Sequence, residues 1–164
     1  MRLAALAPQD DGSGSLRSHQ DDGSGTGRVA YGLTDSPAGL AAWLVEKIRT
    51  WSDCDGDVES VHSRESMLAN ICLYWFTAAI GSSFWPYYAR LHHAWPIPDG
   101  KKVMVPTGYA AFPKEIIRPP RPIAETVYGN LQRWTTMSKG GHFAAMEQPA
   151  ALAADIAAFF RGLR

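Results

Sequence analysis

Apolar residues repeat at helical spacing after the tripeptide Asp35-Ser36-Pro37. Asp and Ser are favoured helix caps, and proline suits the first position of a helix. The pattern therefore predicts a helix from about residue 37 to residue 51, with one apolar side facing a core. The residues on that side are Leu40, Trp43, Leu44, Ile48 and Trp51.

The segment 64–80 is apolar nearly all round, which predicts a second helix that is buried. The surrounding uncharged run 66–89 is long enough to cross a membrane. Asn70, the polar stretch 81–83 and Pro86 interrupt it, however, so we expect no membrane span.

The remainder of the chain alternates between strand-like and helix-like patterns. We predict strands at 103–110 and 131–137, helices at 123–129 and 149–164, and a loop at 138–142. This order is typical of an α/β protein with parallel strands.

The first 28 residues repeat the sequence Gln-Asp-Asp-Gly-Ser-Gly, at 9–14 and at 20–25. Such segments cannot bury enough apolar surface to offset the entropy lost on ordering. We therefore expect residues 1–28 to be disordered, with the folded part beginning near residue 29.

Composition excludes several classes of function. In 164 residues, 16 Lys and Arg balance 16 Asp and Glu, so no net charge favours nucleic acid or an anionic membrane as a partner. The two cysteines, Cys54 and Cys72, are too few for a disulfide scaffold or a structural zinc site, so a cytoplasmic location is expected. Asp53, Asp55 and Asp57 begin like a calcium loop but lack its glycine and final glutamate, and we expect neither metal nor cofactor.

Three sequence blocks carry a resemblance to a known family: 31–43 (YGLTDSPAGLAAW), 112–115 (FPKE) and 140–147 (GGHFAAME). Over residues 29–164 the chain resembles the C-terminal part of epoxide hydrolases of the microsomal type, which are α/β-hydrolases. The resemblance implies lid helices in 29–98. It implies the last two parallel strands and their helices, with the acid and histidine loops, in 99–164.

The resemblance also implies a reaction. In this family an aspartate attacks an epoxide carbon to form an ester, lid tyrosines assist the departing oxygen, and a histidine activates water to release a vicinal diol. Carried onto this sequence, Glu115 is the acid that orients the histidine and His142 is the base, in the chain order of α/β-hydrolases. Tyr87 is the best match to a lid tyrosine, and Tyr88 is the alternative.

Each of these residues also has an ordinary structural interpretation. Glu115 would be a surface carboxylate, His142 a hydrogen-bonded turn residue, and Tyr87 part of an aromatic cluster with Phe84 and Trp85.

The chain departs from the family because it contains neither a Gly-x-Asp-x-Gly nor a Gly-x-Ser-x-Gly nucleophile elbow, and no His-Gly-x-Pro oxyanion loop. Three hypotheses stay open: the C-terminal part of an epoxide hydrolase, the same part of a dehalogenase or esterase, or a non-catalytic remnant that serves as an interaction module. We expect the chain alone to be inactive and to fold poorly. Bare apolar surface around Leu40 and 68–80 would then favour self-association or pairing with a missing N-terminal half.

Overall fold

A computed structural model describes residues 24–92, 97–98 and 100–163. They form two compact units. One unit contains the described residues up to Lys47 and those from Ser63 to residue 92, and the other contains Ile48–His62 and the chain from residue 97 onward. The segment Ile48–His62 therefore groups with the C-terminal part, although the sequence boundaries assigned it to the lid region.

The first unit is helical. Helix α1 begins at Ser24, before the expected start of the folded part, and residues 1–23 of the segment predicted to be disordered lie outside the described residues. The helix predicted after Asp35 is confirmed as α2. The helices are α1 (Ser24–Asp35), α2 (Pro37–Trp51), α3 (Arg64–Thr77), α4 (Ile80–Ser83) and α5 (Trp85–His92).

A small apolar core joins α1, α2 and α4. Its buried members are Leu33, Leu40, Ile80 and Phe84, and the Trp43 ring meets the Phe84 ring edge-on at a centroid distance of 6.1 Å. Leu40 is completely buried. The expectation of a bare surface around Leu40 is therefore wrong.

The predicted helix 64–80 ends early, and its predicted burial is also wrong. Ala78 adopts a left-handed conformation with φ of +51°, which ends α3 at Thr77. Within α3 only Met67 and Ile71 are buried, whereas Phe76 is 80% exposed. Helix α3 therefore has more apolar residues than the core of this unit buries.

No single helix among the described residues has the length and apolar composition of a membrane span. Helix α3 and the segment Ile80–Tyr87 meet those criteria only as a pair, and the pair is bent by 108°.

The second unit contains the parallel strands that the sequence pattern predicts. Its elements are a 3-10 turn (Val58–Ser60), β1 (Thr107–Ala111), α6 (Arg121–Val127), β2 (Leu131–Thr136), α7 (Ala144–Glu147) and α8 (Pro149–Arg161). Strands β1 and β2 pair in parallel. Strand β1 begins four residues later than predicted because Pro106 lacks an N–H group for the sheet, and Val103 makes only an isolated bridge to Tyr128.

Helix α8 lies against β1 at a glycine. A Cβ atom on Gly108 would stand 3.0 Å from the Phe159 ring, so glycine permits this close approach. Asp155 of α8 also accepts hydrogen bonds from Arg133 Nε (2.7 Å) and Thr135 Oγ1 (2.6 Å) of β2. Burial alone would raise the pKa of Asp155, but these hydrogen bonds and the Arg133 charge outweigh it, and the pKa is lowered.

We expect Asp155→Ala to lower the free energy of unfolding by about 1–3 kcal/mol, because two donors of β2 lose their acceptor. Chemical denaturation of the full chain measures this change. Glu125→Ala is the matched control, because Glu125 accepts a hydrogen bond from Arg121 at an exposed position, where such pairs contribute little. Equal effects of the two substitutions would contradict the expectation.

Candidate active site

Glu115 and His142 lie in loops that follow the two parallel strands. Glu115 comes four residues after the end of β1, and His142 six residues after the end of β2. An isolated parallel bridge between Lys114 and Gly141 continues the pairing beyond the strands. His142 Nδ1 lies 2.7 Å from Glu115 Oε1. The structure therefore brings together the two residues that the family resemblance pairs as acid and histidine.

This contact fixes which nitrogen of neutral His142 carries the proton. An ionised carboxylate only accepts hydrogen bonds, so Nδ1 carries the proton and donates a hydrogen bond to Glu115 Oε1. Nε2 is then the nitrogen that can accept a proton. The backbone N–H of Ile116 also donates to Oε1 at 2.7 Å, which holds the carboxylate in place. Both side chains keep partial contact with solvent, at 38% exposure for His142 and 27% for Glu115.

Two glycines before His142 allow its loop to pack closely. Gly140 has φ of +111°, and a Cβ atom there would stand 2.7 Å from Phe112 Cδ1. A Cβ atom on Gly141 would stand 2.5 Å from the Trp51 carbonyl oxygen, too close for any other residue type without movement. Through this approach the N–H of His142 donates to that same oxygen at 2.8 Å.

Two carboxylates beneath the His142 loop received no role from the sequence. Glu147, only 9% exposed, accepts backbone hydrogen bonds from Asp53 (2.7 Å), Gly141 (2.9 Å) and Phe143 (2.9 Å). Asp53 in return accepts one from Gly140 at 2.9 Å. The only sequence signal was the position of Glu147 in the same block as His142. The sequence associates Asp53 only with an incomplete calcium loop. No cluster of metal-ligating side chains occurs in the part of the chain that the structure describes.

Aromatic rings and a second histidine complete the surroundings of His142. The Trp51 and Phe143 rings meet the imidazole edge-on, at centroid distances of 5.3 and 5.2 Å. His62 is fully enclosed, and its Nε2 lies 2.8 Å from the Ser52 hydroxyl. Burial lowers the pKa of His62, and the negative charge of Glu147 offsets part of this effect. Because Ser52 and His62 are buried, we interpret them as structural support.

The predicted lid tyrosine, Tyr87, belongs to α5 in the first unit. Its side chain is 41% exposed, and its ring packs against Phe84 at a centroid distance of 6.3 Å, as the aromatic-cluster interpretation expects. The side chain of Tyr88 lies outside the described residues. The catalytic role of Tyr87 stays a prediction.

Two parallel strands followed by an acid loop and a histidine loop define the C-terminal portion of an α/β-hydrolase fold. Solved structures agree with this class. Juvenile hormone epoxide hydrolase of the silkworm Bombyx mori matches 90% of the chain with a TM-score of 0.79 and 28% identity, over 40% of its own length. Aspergillus niger epoxide hydrolase matches 90% of the chain with a TM-score of 0.72 and 28% identity, over 35% of its length.

Sequence relatives narrow the class further, although no protein-family model matches the chain. A protein of Stigmatella aurantiaca provisionally assigned as an epoxide hydrolase is 44% identical over 83% of the chain, and Epoxide hydrolase 1 of Oryctolagus cuniculus is 42% identical over 80%. The chain spans about 30% of the length of these relatives. The chain belongs to the epoxide hydrolases, as a C-terminal part of their α/β-hydrolase fold.

We expect Gly141→Ala to lower the free energy of unfolding by about 1–3 kcal/mol, because the added methyl group forces the loop away from the Trp51 carbonyl. Thermal and chemical unfolding of the full chain measure the change. Gly32→Ala is the control, since a Cβ atom there meets nothing within 4 Å. A stable Gly141→Ala variant whose His142 amide stays protected from hydrogen exchange would contradict the close packing.

The lowered pKa of His62 predicts a dependence of stability on pH. Below the ordinary histidine pKa of about 6.5, the unfolded chain binds a proton that folded His62 resists. The free energy of unfolding should therefore decrease as the pH falls from 7.5 to 5.5. This dependence should be weaker in His62→Gln, because that variant lacks the imidazole that resists protonation. The other histidines are common to both proteins, so the difference between the two pH profiles reports His62. Parallel pH profiles for the two proteins would rule out His62 as the cause.

Proposed function

We propose that this chain contributes the water-activating half of an epoxide hydrolase site. In the complete reaction, an aspartate oxygen attacks an epoxide carbon, the carbon–oxygen bond of the ring opens, and the ring oxygen takes up a proton. His142 Nε2 then removes a proton from water. The resulting hydroxide attacks the carbonyl carbon of the ester, and the bond from that carbon to the alkoxy oxygen breaks, which releases a vicinal diol and restores the aspartate. The imidazolium then loses its proton to solvent, which balances the proton taken up by the ring oxygen in the first step.

The single observation that carries the proposal is the 2.7 Å contact between His142 Nδ1 and Glu115. The carboxylate holds the ring in the tautomer that leaves Nε2 basic, and it stabilises the imidazolium that forms when water is deprotonated. The membership of the chain among the epoxide hydrolases favours an epoxide as substrate over the halides or esters of related hydrolases.

The reaction needs two further groups, a donor for the epoxide oxygen and a nucleophile. Tyr87 would donate a hydrogen bond to the opening epoxide oxygen, since a phenol can stabilise a developing alkoxide. The 164 residues contain no nucleophile elbow, so the attacking aspartate would come from residues outside this sequence. We also propose a cytoplasmic location, a role in detoxification, and either self-association or pairing with the part that supplies the attacking aspartate.

The proposal predicts that the chain alone forms no diol, because His142 can act only on an ester that an aspartate has already formed. The assay measures diol formation from a simple aryl epoxide with the purified chain. It is repeated with a chimaera in which the chain replaces the corresponding segment of the Stigmatella aurantiaca relative. We expect diol from the chimaera only.

Within the chimaera, His142→Ala should reduce turnover by about 10²- to 10⁴-fold, the usual contribution of a general base. Glu115→Gln should also reduce turnover. Glu125→Ala, an exposed carboxylate in the same unit, is the control and should leave turnover unchanged. If the chain alone forms diol and His142→Ala abolishes that activity, the proposal that the nucleophile lies outside this sequence is wrong. Turnover by the chimaera that His142→Ala leaves intact would overturn the role of His142 and favour a structural remnant.

A further inference from the structure

The His142 loop is held from below by carboxylates that do not touch the imidazole. Glu147 Oε2 accepts the N–H groups of Gly141 and Asp53, and Oε1 accepts that of Phe143. The residues before and after His142 therefore bind the same side chain. A shift of Glu147 would move the backbone on both sides of the base.

The three backbone donors around Glu147 favour a carboxylate at this position. A buried charge is costly unless several donors compensate it, and here three backbone N–H groups do so at 2.7–2.9 Å. A neutral glutamine has one oxygen and one NH2 group. Its NH2 group would face backbone N–H donors, from which it cannot accept a hydrogen bond. The arrangement thus favours a carboxylate specifically.

Asp53 makes the arrangement reciprocal. Its N–H donates to Glu147, while its own Oδ2 accepts the N–H of Gly140 at 2.9 Å. Residues 140, 141 and 143 are thereby fixed by two carboxylates, one from the segment after α2 and one from α7. His142 itself adds the backbone bond to the Trp51 carbonyl at 2.8 Å.

We infer that Glu147, assisted by Asp53, is a positioning residue that keeps the His142 imidazole within hydrogen-bond reach of Glu115. The consequence for catalysis rests on the proposed function, but the consequence for the His142–Glu115 contact does not. Loss of the carboxylate should leave the imidazole free to rotate and to change its tautomer. A displacement of about 1 Å in a reacting group can cost about 10²-fold in rate.

The first test is NMR on the full chain at neutral pH, with the ¹⁵N shifts of His142 reporting the tautomer. The unaltered chain should show a dominant Nδ1–H form, and Glu147→Gln should shift the population toward Nε2–H. Asp53→Ala should shift the tautomer population in the same direction by a smaller amount. This variant replaces Glu147→Gln in the test if Glu147→Gln does not fold. Asp155→Asn is the matched control, because it alters another enclosed carboxylate of this unit and should leave the tautomer unchanged.

The second test measures turnover in the chimaera. Glu147→Gln should lower kcat about 10- to 100-fold with little change in KM, and Asp155→Asn should lower neither. Folded variants of Glu147 and Asp53 that both keep the Nδ1–H form would overturn the positioning role. If the tautomer shifts but the chimaera forms no diol with any variant, the positioning role stands and the proposed function fails.

Discussion

The contact between Gly141 and the Trp51 carbonyl sets the geometry on which the candidate site depends. A Cβ atom at Gly141 would stand 2.5 Å from that oxygen, so the two backbones meet without any side chain between them. Gly141 of this loop makes an isolated parallel bridge to Lys114, which follows β1. The N–H of His142 donates a hydrogen bond to the Trp51 carbonyl at the end of α2. Main-chain packing therefore contributes to the direction in which the His142 side chain leaves the backbone.

Electrostatics reinforces that packing. Close backbone approach brings several N–H donors together in a partly buried region, where unpaired donors are costly. Asp53 and Glu147 supply acceptors for four of them. The charge of Glu147 reaches further, because it partly offsets the loss of basicity that burial causes in His62. Donors, acceptors and the enclosed imidazole thus form one network under the base.

The chain order and the local patterns were sufficient to predict much of this arrangement. Helix α2 and the parallel strand pair follow from periodicity and from the order of elements along the chain. The meeting of Glu115 with His142 is what the family resemblance implies. The bond from the Asp53 N–H to Glu147 joins residues 94 positions apart, and no local pattern contains it. A carboxylate that binds only backbone donors leaves no partner side chain in the sequence to suggest it.

The apolar character of α3 shows the opposite limit of sequence interpretation. Its composition predicts burial, yet Phe76 and Leu73 remain 80% and 62% exposed. Hydrophobic periodicity reports what a helix is able to bury, whereas the covering surface is a property of whatever packs on it. The left-handed break at Ala78 was equally hidden, because alanine ordinarily favours continuation of a helix.

Glu115 and His142 are both held within one unit of the chain. Glu115, His142, Trp51, Asp53 and Glu147 all belong to the unit formed by residues 48–62 and 97–163. The described contacts that orient His142, those to Glu115 and to the Trp51 carbonyl, come from this unit. In a two-step reaction this separation is chemically reasonable, because formation of the ester requires the aspartate and an acid for the epoxide oxygen, while only its hydrolysis requires the base. If the proposed function holds, a segment that carries the second step keeps its geometry although the residues of the first step lie elsewhere.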